Sequence, residues 1–234
     1  MKPISVETTN RIAALVYGDP GVGKTSLLRT IPKGQRACVL SAESGLLCVR
    51  DLVTQKLVEG FELGTFEEMR EAFNALKSKD YKERYQWLFL DSITEIGQRC
   101  VEELKPKYDN SQKFLMWGEY NDRMTSLLKS FRDLTDYSVV MSALATVEVD
   151  DLGRRFIRPD MQGKIGARLP ALFDLVLFMD IETIEDEDHR LFITQPSDTS
   201  RGHCMAKDRS GKLNKKEKPD LAHIFNKIMK ESKK

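Results

Sequence analysis

One stretch constrains this chain more than any other, and it consists of Gly18, Asp19, Pro20, Gly21, Val22, Gly23, Lys24 and Thr25. Together they match G-x-x-x-x-G-K-[ST], the pattern of a phosphate-binding loop. The apolar segment 11–17 before the loop predicts a buried strand, and the residues from Ser26 onward open a helical pattern. An ordinary glycine-rich turn is the alternative, but this strand–loop–helix context favours a site for a nucleoside triphosphate.

The pattern also predicts what each part of the loop does. Its glycines let the backbone curl, so that successive N–H groups from Gly18 to Ser26 can point at phosphate oxygens. The start of the following helix adds a partial positive charge. We expect Lys24 to reach the β- and γ-phosphates and Thr25 to offer its hydroxyl to Mg²⁺.

Composition limits the class of protein. The 234 residues suit one domain, predicted over 11–230, with a polar lead-in (1–10) and a basic tail (231–234). The net charge of +1 shows no basic excess, so a nucleic-acid contact would need a local patch. Four cysteines without metal-ligand spacing predict a reducing cytoplasm, and no apolar run is long enough to cross a membrane.

The order of the apolar segments predicts an α/β fold. Strands at 11–17, 37–43, 87–91 and 138–144 alternate with helices, one of which begins at Thr65 with a capping box to Glu68. That alternation indicates a mostly parallel sheet flanked by helices. The remaining residues favour antiparallel strands: a hairpin of 146–149 with 155–158, strands at 175–180, 190–194 and 203–206, and a last helix over 220–229.

Two acids follow predicted strands and are candidates for chemistry. Asp91 ends an apolar strand, where a second acid that holds Mg²⁺ through water is expected; capping the next helix, by Asp91 or Ser92, is the alternative. Glu43 closes the second strand, where it could orient or deprotonate the attacking water, or could be an exposed residue of a turn. Ser142, near the end of the fourth strand, could sense the γ-phosphate or could simply bond to backbone.

Two groups of basic residues could reach phosphates. Lys207 and Arg209 follow a predicted strand and would point to one side, as a finger for a neighbouring subunit or as a charged turn. A second stretch contains several glycines and is interpreted as flexible loops. It could bind a nucleic-acid backbone, or its basic residues could lie on a solvated hairpin face where neighbouring acids offset their charge. Its basic residues are Arg154, Arg155, Arg158, Lys164 and Arg168.

Several stretches together resemble the RecA-like ATPases, and most closely the phage ATP-binding proteins of the Sak-type single-strand annealing group. They are GDPGVGKTSLL (18–28), VLSAESG (39–45), WLFLDSITEI (87–96), WGEYNDRM (117–124), VVMSAL (139–144), PDMQGKIGARLPALFD (159–174) and RGHCMAKDRSGKL (201–213). The resemblance implies a RecA-like ATPase with ATP and Mg²⁺ as cofactors. It also implies that Glu43 is the catalytic glutamate and that Lys207 and Arg209 act across a subunit interface, and it places residues 150–170 where such proteins carry a DNA-binding loop.

The resemblance further implies a homo-oligomer, as a ring or a filament, that binds single-stranded DNA and assists annealing or strand exchange in phage recombination. A single-stranded DNA-binding protein would be a further partner, in the cytoplasm of an infected bacterium. An ATP-dependent switch or loader that acts on a protein partner is the alternative. A GTPase is disfavoured because 206–209 fails [NT]-K-x-D, an AAA+ motor because a helical lid domain is not evident, and a dinucleotide fold because G-x-G-x-x-G is absent.

Overall fold

The computed structural model of the protein describes residues 11–42 and 45–230. Glu43 lies outside the described residues, as do the predicted lead-in and tail. Its catalytic role therefore stays a prediction.

Strands and helices alternate in the first part of the described chain. The strands are Ala13–Gly18 (β1), Ala37–Ser41 (β2), Val58–Glu62 (β3), Trp87–Asp91 (β4), Ser138–Val149 (β5), Arg155–Pro159 (β6), Leu175–Ile184 (β7), Glu187–Ile193 (β8), Ser197–Thr199 (β9), Gly202–Cys204 (β10), Lys207–Asp208 (β11) and Lys216–Glu217 (β12). The α-helices are Arg50–Thr54 (α1), Phe66–Ala75 (α2), Lys79–Arg84 (α3), Ile93–Leu104 (α4), Lys113–Arg132 (α5), Ile165–Leu172 (α6) and Leu221–Met229 (α7). Short 3₁₀ helices cover Thr25–Thr30, Leu47–Val49, Lys105–Lys107 and Asn110–Gln112.

The main sheet has the order β12-β8-β7-β1-β5-β4-β2-β3. Its central strands, from β7 to β3, are parallel, whereas β8, β11 and β12 pair antiparallel. A smaller sheet joins the outer half of β5 to β6, β10 and β9. The predicted α/β fold, with a mostly parallel core and an antiparallel second half, is confirmed.

Both faces of the parallel core are buried, which explains why its strands are apolar throughout. Leu15 and Tyr17 of β1 face the cluster that contains α2, α4, α5 and α6. Ala14 and Val16 face the opposite cluster, which contains the 3₁₀ helix after β1 and α7. Because successive side chains of β1 point to opposite faces of the sheet and both faces are covered, every residue of β1 is buried.

The predicted helix after the phosphate loop is present and is a 3₁₀ helix. Two other predictions of local structure were wrong. Strand β5 runs without interruption to Val149, because its outer half pairs with β6 in the predicted hairpin. Helix α6 replaces the predicted flexible loop, since Ile165 and Leu169, four residues apart, are both buried against the core.

Other predictions were correct. Thr65 and Glu68 form the capping box that begins α2, and Asp220 caps α7. Cys38 and Cys100 are buried, and all four cysteines are free. Among the helices described, none combines the length and the apolar character needed to cross a bilayer.

Candidate nucleotide-binding site

The phosphate loop leaves the middle of the sheet at the carboxyl end of β1. A Cβ on Gly18 would lie 2.4 Å from the backbone oxygen of Met179 on β7, so only glycine allows this close approach. Gly23 has φ of +111°, a conformation that residues with a side chain rarely adopt. Both glycines of the G-x-x-x-x-G-K pattern are therefore required by the backbone itself.

The side chain of Lys24 folds over the start of the loop. Its Nζ donates to the backbone oxygen of Gly18 at 2.9 Å and to that of Asp19 at 2.8 Å. The Val22 N–H also donates to the Asp19 oxygen, at 3.3 Å. These bonds hold the first part of the loop together, with Lys24 on two loop carbonyl groups and the Val22 N–H engaged within the loop.

Asp91 is directed at the phosphate loop rather than at the following helix. The hydroxyl of Thr25 donates to its Oδ2 at 2.6 Å. Ser92, not Asp91, caps α4, because the Glu95 N–H donates to the Ser92 hydroxyl at 3.4 Å. The alternative in which Asp91 serves only as a cap is therefore set aside.

Ser142 completes the surroundings of Asp91. It lies on β5, which separates β1 from β4, and its hydroxyl donates to Oδ1 of Asp91. The backbone oxygen of Leu90 lies 3.5 Å from the same hydroxyl. Ser142 is thus more than a serine bonded to backbone, because it fixes the second oxygen of the buried carboxylate.

The oxygen atoms of Thr25 and Asp91 fit Mg²⁺. Magnesium prefers oxygen ligands, and it is usually held by one or two protein groups together with water and the substrate's phosphates. Asp91 is 8% exposed and adjoins the loop hydroxyl at hydrogen-bond distance. Thr25 and Asp91 are therefore the residues that would hold the ion, as the sequence predicts.

A cavity of about 300 Å³ lies against the loop. Its lining comprises Pro20, Gly21, Gly23, Lys24, Thr25, Ser26, Cys48, Asp91, Ser92 and Leu144. A larger cavity of about 820 Å³ lies among α2, α4 and α5, away from every predicted site residue. We assign the smaller cavity to the nucleotide because it is the one that brings the loop and Asp91 together.

Glu43 follows the strand next to Asp91. Ser41, the last residue of β2, is aligned with Asp91 across the two parallel strands. Both strands therefore end at the same edge of the sheet, where the phosphate loop also lies.

Lys207 and Arg209 lie at the opposite end of the sheet from their own phosphate loop. Lys207 is aligned with Val176 near the start of β7, and Val176 is aligned with Leu15 of β1. Three residues of strand separate Leu15 from Gly18, which is about 10 Å, and Arg209 lies farther still from the loop. These two cations therefore cannot serve the loop of their own chain.

Both cations contact the end of α6 or the segment that follows it. Lys207 donates to the backbone oxygens of Pro170 at 3.2 Å and Phe173 at 2.7 Å, and burial lowers the pKa of its ammonium. Arg209 pairs with Asp174 at 2.7 Å. Asp208 lies between the two cations. Its carboxylate accepts from the Ser210 and Leu213 N–H groups and so closes the turn that follows.

The predicted DNA-binding residues are divided between the β5–β6 hairpin and α6. On the hairpin, Arg154 pairs with Asp150 at 2.6 Å and Arg158 pairs with Glu148, whereas Arg155 is exposed. Lys164 and Arg168 are exposed, just before and on α6. The structure thus gives these five residues two separate surroundings rather than one flexible basic loop.

Two arginines at the phosphate loop were missed by the sequence analysis. Arg190 of β8 donates to the backbone oxygen of Val22 at 3.0 Å. Arg201 forms a two-pronged ion pair with Asp19, with one N–O distance of 2.9 Å, and lies 3.9 Å from Asp180. Burial raises the pKa of the Asp180 carboxyl. No local pattern identifies either arginine, because each lies more than 160 residues beyond its partner.

One family profile matches most of the chain, including the phosphate loop and Asp91. The sequence profile of a family described as "AAA domain" matches residues 10–210. None of the curated proteins matches the chain. Among the solved structures that match is a KaiC-like protein from the hyperthermophilic archaeon Pyrococcus horikoshii, at 13% identity and a TM-score of 0.45, over 82% of this chain and 88% of that one.

Proposed function

The chain belongs to the AAA domain family, and on this basis we propose that it binds ATP with Mg²⁺ and hydrolyses it. The observation that carries the proposal is the hydrogen bond between Thr25 of the phosphate loop and Asp91 of β4. It brings together the two groups that hold the metal in triphosphatases of this kind.

Each residue of the site has one task in this proposal. The loop N–H groups and Lys24 bind the phosphates, while Thr25 and Asp91 hold Mg²⁺. The bound ion would neutralise charge on the β- and γ-phosphates. Glu43 orients the attacking water and accepts its proton.

We further propose that the protein binds single-stranded DNA and assists annealing or strand exchange in phage recombination, in the cytoplasm of the infected host. Arg154, Arg155, Arg158, Lys164 and Arg168 would contact the DNA backbone. The continuity of β5 supports this, because Leu144 lines the nucleotide cavity and the hairpin begins at Ala145. One strand would thus connect the ATP site to the DNA.

The proposed oligomer is a ring or filament with active sites between subunits. Lys207 and Arg209 face away from their own loop, which supports their acting on the loop of a neighbouring subunit. A single-stranded DNA-binding protein remains a proposed further partner.

One observation favours the alternative of a switch that acts on a protein partner. The basic residues Arg154, Arg155 and Arg158 of the hairpin are matched by Glu148, Asp150 and Asp151. Val147, Val149 and Leu152 of the same hairpin are 41%, 63% and 77% exposed. Balanced charge with exposed apolar side chains suits a protein surface better than a DNA backbone.

A binding titration separates the two proposals. A fluorescent single-stranded oligonucleotide is titrated with protein in ATP, ADP or no nucleotide, at two salt concentrations. We expect binding that needs ATP and weakens with salt. The double variant Arg155→Glu/Arg168→Glu should bind weakly, whereas Arg70→Glu, on the exposed face of α2, should bind like the wild type. Absence of binding under all conditions would contradict DNA binding and favour a protein partner.

A further inference from the structure

Two arginines from the antiparallel half of the chain form hydrogen bonds with the phosphate loop. Arg190 contacts the middle of the loop at the backbone oxygen of Val22, and Arg201 contacts its beginning at the side chain of Asp19. The pattern that defines the loop includes neither arginine. We propose that Arg190 and Arg201 are positioning residues, which keep the loop in the shape and charge state that a triphosphate requires.

Arg190 sets the orientation of the peptide group between Val22 and Gly23. In a trans peptide the C=O and the following N–H point in opposite directions. Arg190 draws the Val22 oxygen toward β8, so the N–H of Gly23 is turned away from β8. Gly23 lines the cavity against the loop. The bond to Arg190 therefore keeps this N–H available to a phosphate, although Arg190 itself need not touch the ligand.

The conformational freedom of Gly23 explains why a hydrogen bond to the Val22 oxygen is needed. Its φ of +111° is open to glycine alone, but glycine also adopts many other conformations. The glycine that makes the loop possible therefore also leaves this peptide free to rotate. A side-chain donor at 3.0 Å from the Val22 oxygen restricts that rotation.

Arg201 offsets the negative charge of the Asp19 carboxylate. Asp19 places a carboxylate in a loop that has to accept a polyanion, and that charge would repel the phosphates. Both terminal nitrogens of Arg201 donate to this carboxylate, in the paired geometry that arginine forms with carboxylates. The pair neutralises Asp19 where it stands, so the loop can hold an acid and still bind an anion.

The test measures nucleotide affinity, and it rests on the proposed ATP binding. A fluorescent ATP analogue is titrated in Mg²⁺ against the wild type, Arg190→Ala, Arg190→Lys and Arg201→Ala, with thermal unfolding as a check that each variant folds. We expect Arg190→Ala and Arg201→Ala each to raise Kd about tenfold, the effect of losing one hydrogen bond or ion pair of this kind. Lysine at 190 should recover part of the loss because it can still donate to the Val22 oxygen. Arg70→Ala, which removes an exposed arginine of α2 paired with Glu67, is the matched control and should leave Kd unchanged.

A double-mutant cycle distinguishes the charge effect from loss of structure. If Arg201 acts by neutralising Asp19, then adding Asp19→Ala to Arg201→Ala should restore most of the lost affinity. Folded Arg190→Ala and Arg201→Ala proteins that bind ATP as tightly as the wild type would overturn this inference but not the proposed function. A double variant no tighter than Arg201→Ala would overturn the role of charge. A wild type that binds no nucleotide would overturn the proposed function, and this inference with it.

Discussion

The hydroxyl of Thr25 donates to the carboxylate of Asp91 at 2.6 Å, although 66 residues separate them in the chain. The bond connects the phosphate loop after β1 to the end of β4, across the strand β5 that lies between them. The second oxygen of Asp91 is held from β5 itself, by Ser142. The carboxylate is thus held both by the phosphate loop and by the neighbouring strand β5.

Ser142→Ala should slow hydrolysis without weakening nucleotide binding. The variant removes a hydrogen bond to a buried charged group, a loss of about 1.5–3 kcal/mol in comparable cases. Because the role proposed for Asp91 is to hold the metal rather than to bind the bulk of the nucleotide, we expect kcat to fall about tenfold and KM to change less than about twofold. Steady-state kinetics provide the measurement.

Ser138→Ala is the matched control on the same strand. Within the described residues the Ser138 hydroxyl is buried without a hydrogen-bond partner. Removing it should leave kcat unchanged and should not lower stability, because no bond is lost. Equal kinetic effects of the two variants would contradict the role given to Ser142.

Glu43→Gln should separate ATP binding from hydrolysis. Glutamine keeps the size of the side chain but cannot accept a proton from water. We expect binding of the ATP analogue within about twofold of the wild type and hydrolysis reduced by about 100-fold to 10,000-fold, the range for loss of a general base. Hydrolysis by the variant at the wild-type rate would assign the base to another residue.

Mixtures of two inactive variants test whether active sites lie between subunits. Lys24→Ala removes the phosphate-binding cation, and Arg209→Ala removes the proposed finger of the neighbouring subunit. An interface that combines the intact loop of one protein with the intact finger of the other should recover part of the hydrolysis. Mixtures as inactive as either variant alone would contradict a finger that acts on a second subunit.

Glu217→Gln should destabilise the protein in a manner that depends on pH. Glu217 is buried and accepts from the Asn214 N–H at 2.7 Å, from Lys227 and from His223. Burial raises the pKa of its carboxyl, but Lys227, the Asn214 N–H and His223 together outweigh burial and leave that pKa lowered. We expect the variant to lose about 1–3 kcal/mol of unfolding free energy at pH 7.

The sign of the pH dependence follows from the lowered pKa. The folded state binds fewer protons than the unfolded state near the ordinary glutamate pKa, so this stabilisation is complete above it and is lost as pH falls through the folded value. The difference in stability between wild type and Glu217→Gln should therefore shrink progressively as pH falls below about 4, the ordinary range of a glutamate pKa. Chemical denaturation at several pH values provides the measurement, with the exposed Glu187→Gln as control; a constant difference at all pH values would contradict this account.

The sequence predicted the parts of the site that depend on local pattern. The loop, the buried strands and Asp91 are recognisable because each is encoded within a few consecutive residues. Helix α6 was missed because its two buried residues are surrounded by glycines and basic residues, and Pro170 lies inside it. Arg190 and Arg201 were missed because their contacts arise only when the antiparallel strands return to the loop.

The most direct test of the central claim is ATP hydrolysis by the wild type, Lys24→Ala and Asp91→Asn, each with Mg²⁺ or with a chelator. Asp122→Asn, the same change at an exposed position of α5, is the matched control. The account predicts hydrolysis that needs Mg²⁺, is lost in Lys24→Ala, falls about 100-fold or more in Asp91→Asn, and is unchanged in the control. No hydrolysis by the wild type, or hydrolysis by Asp91→Asn at the wild-type rate, would contradict it.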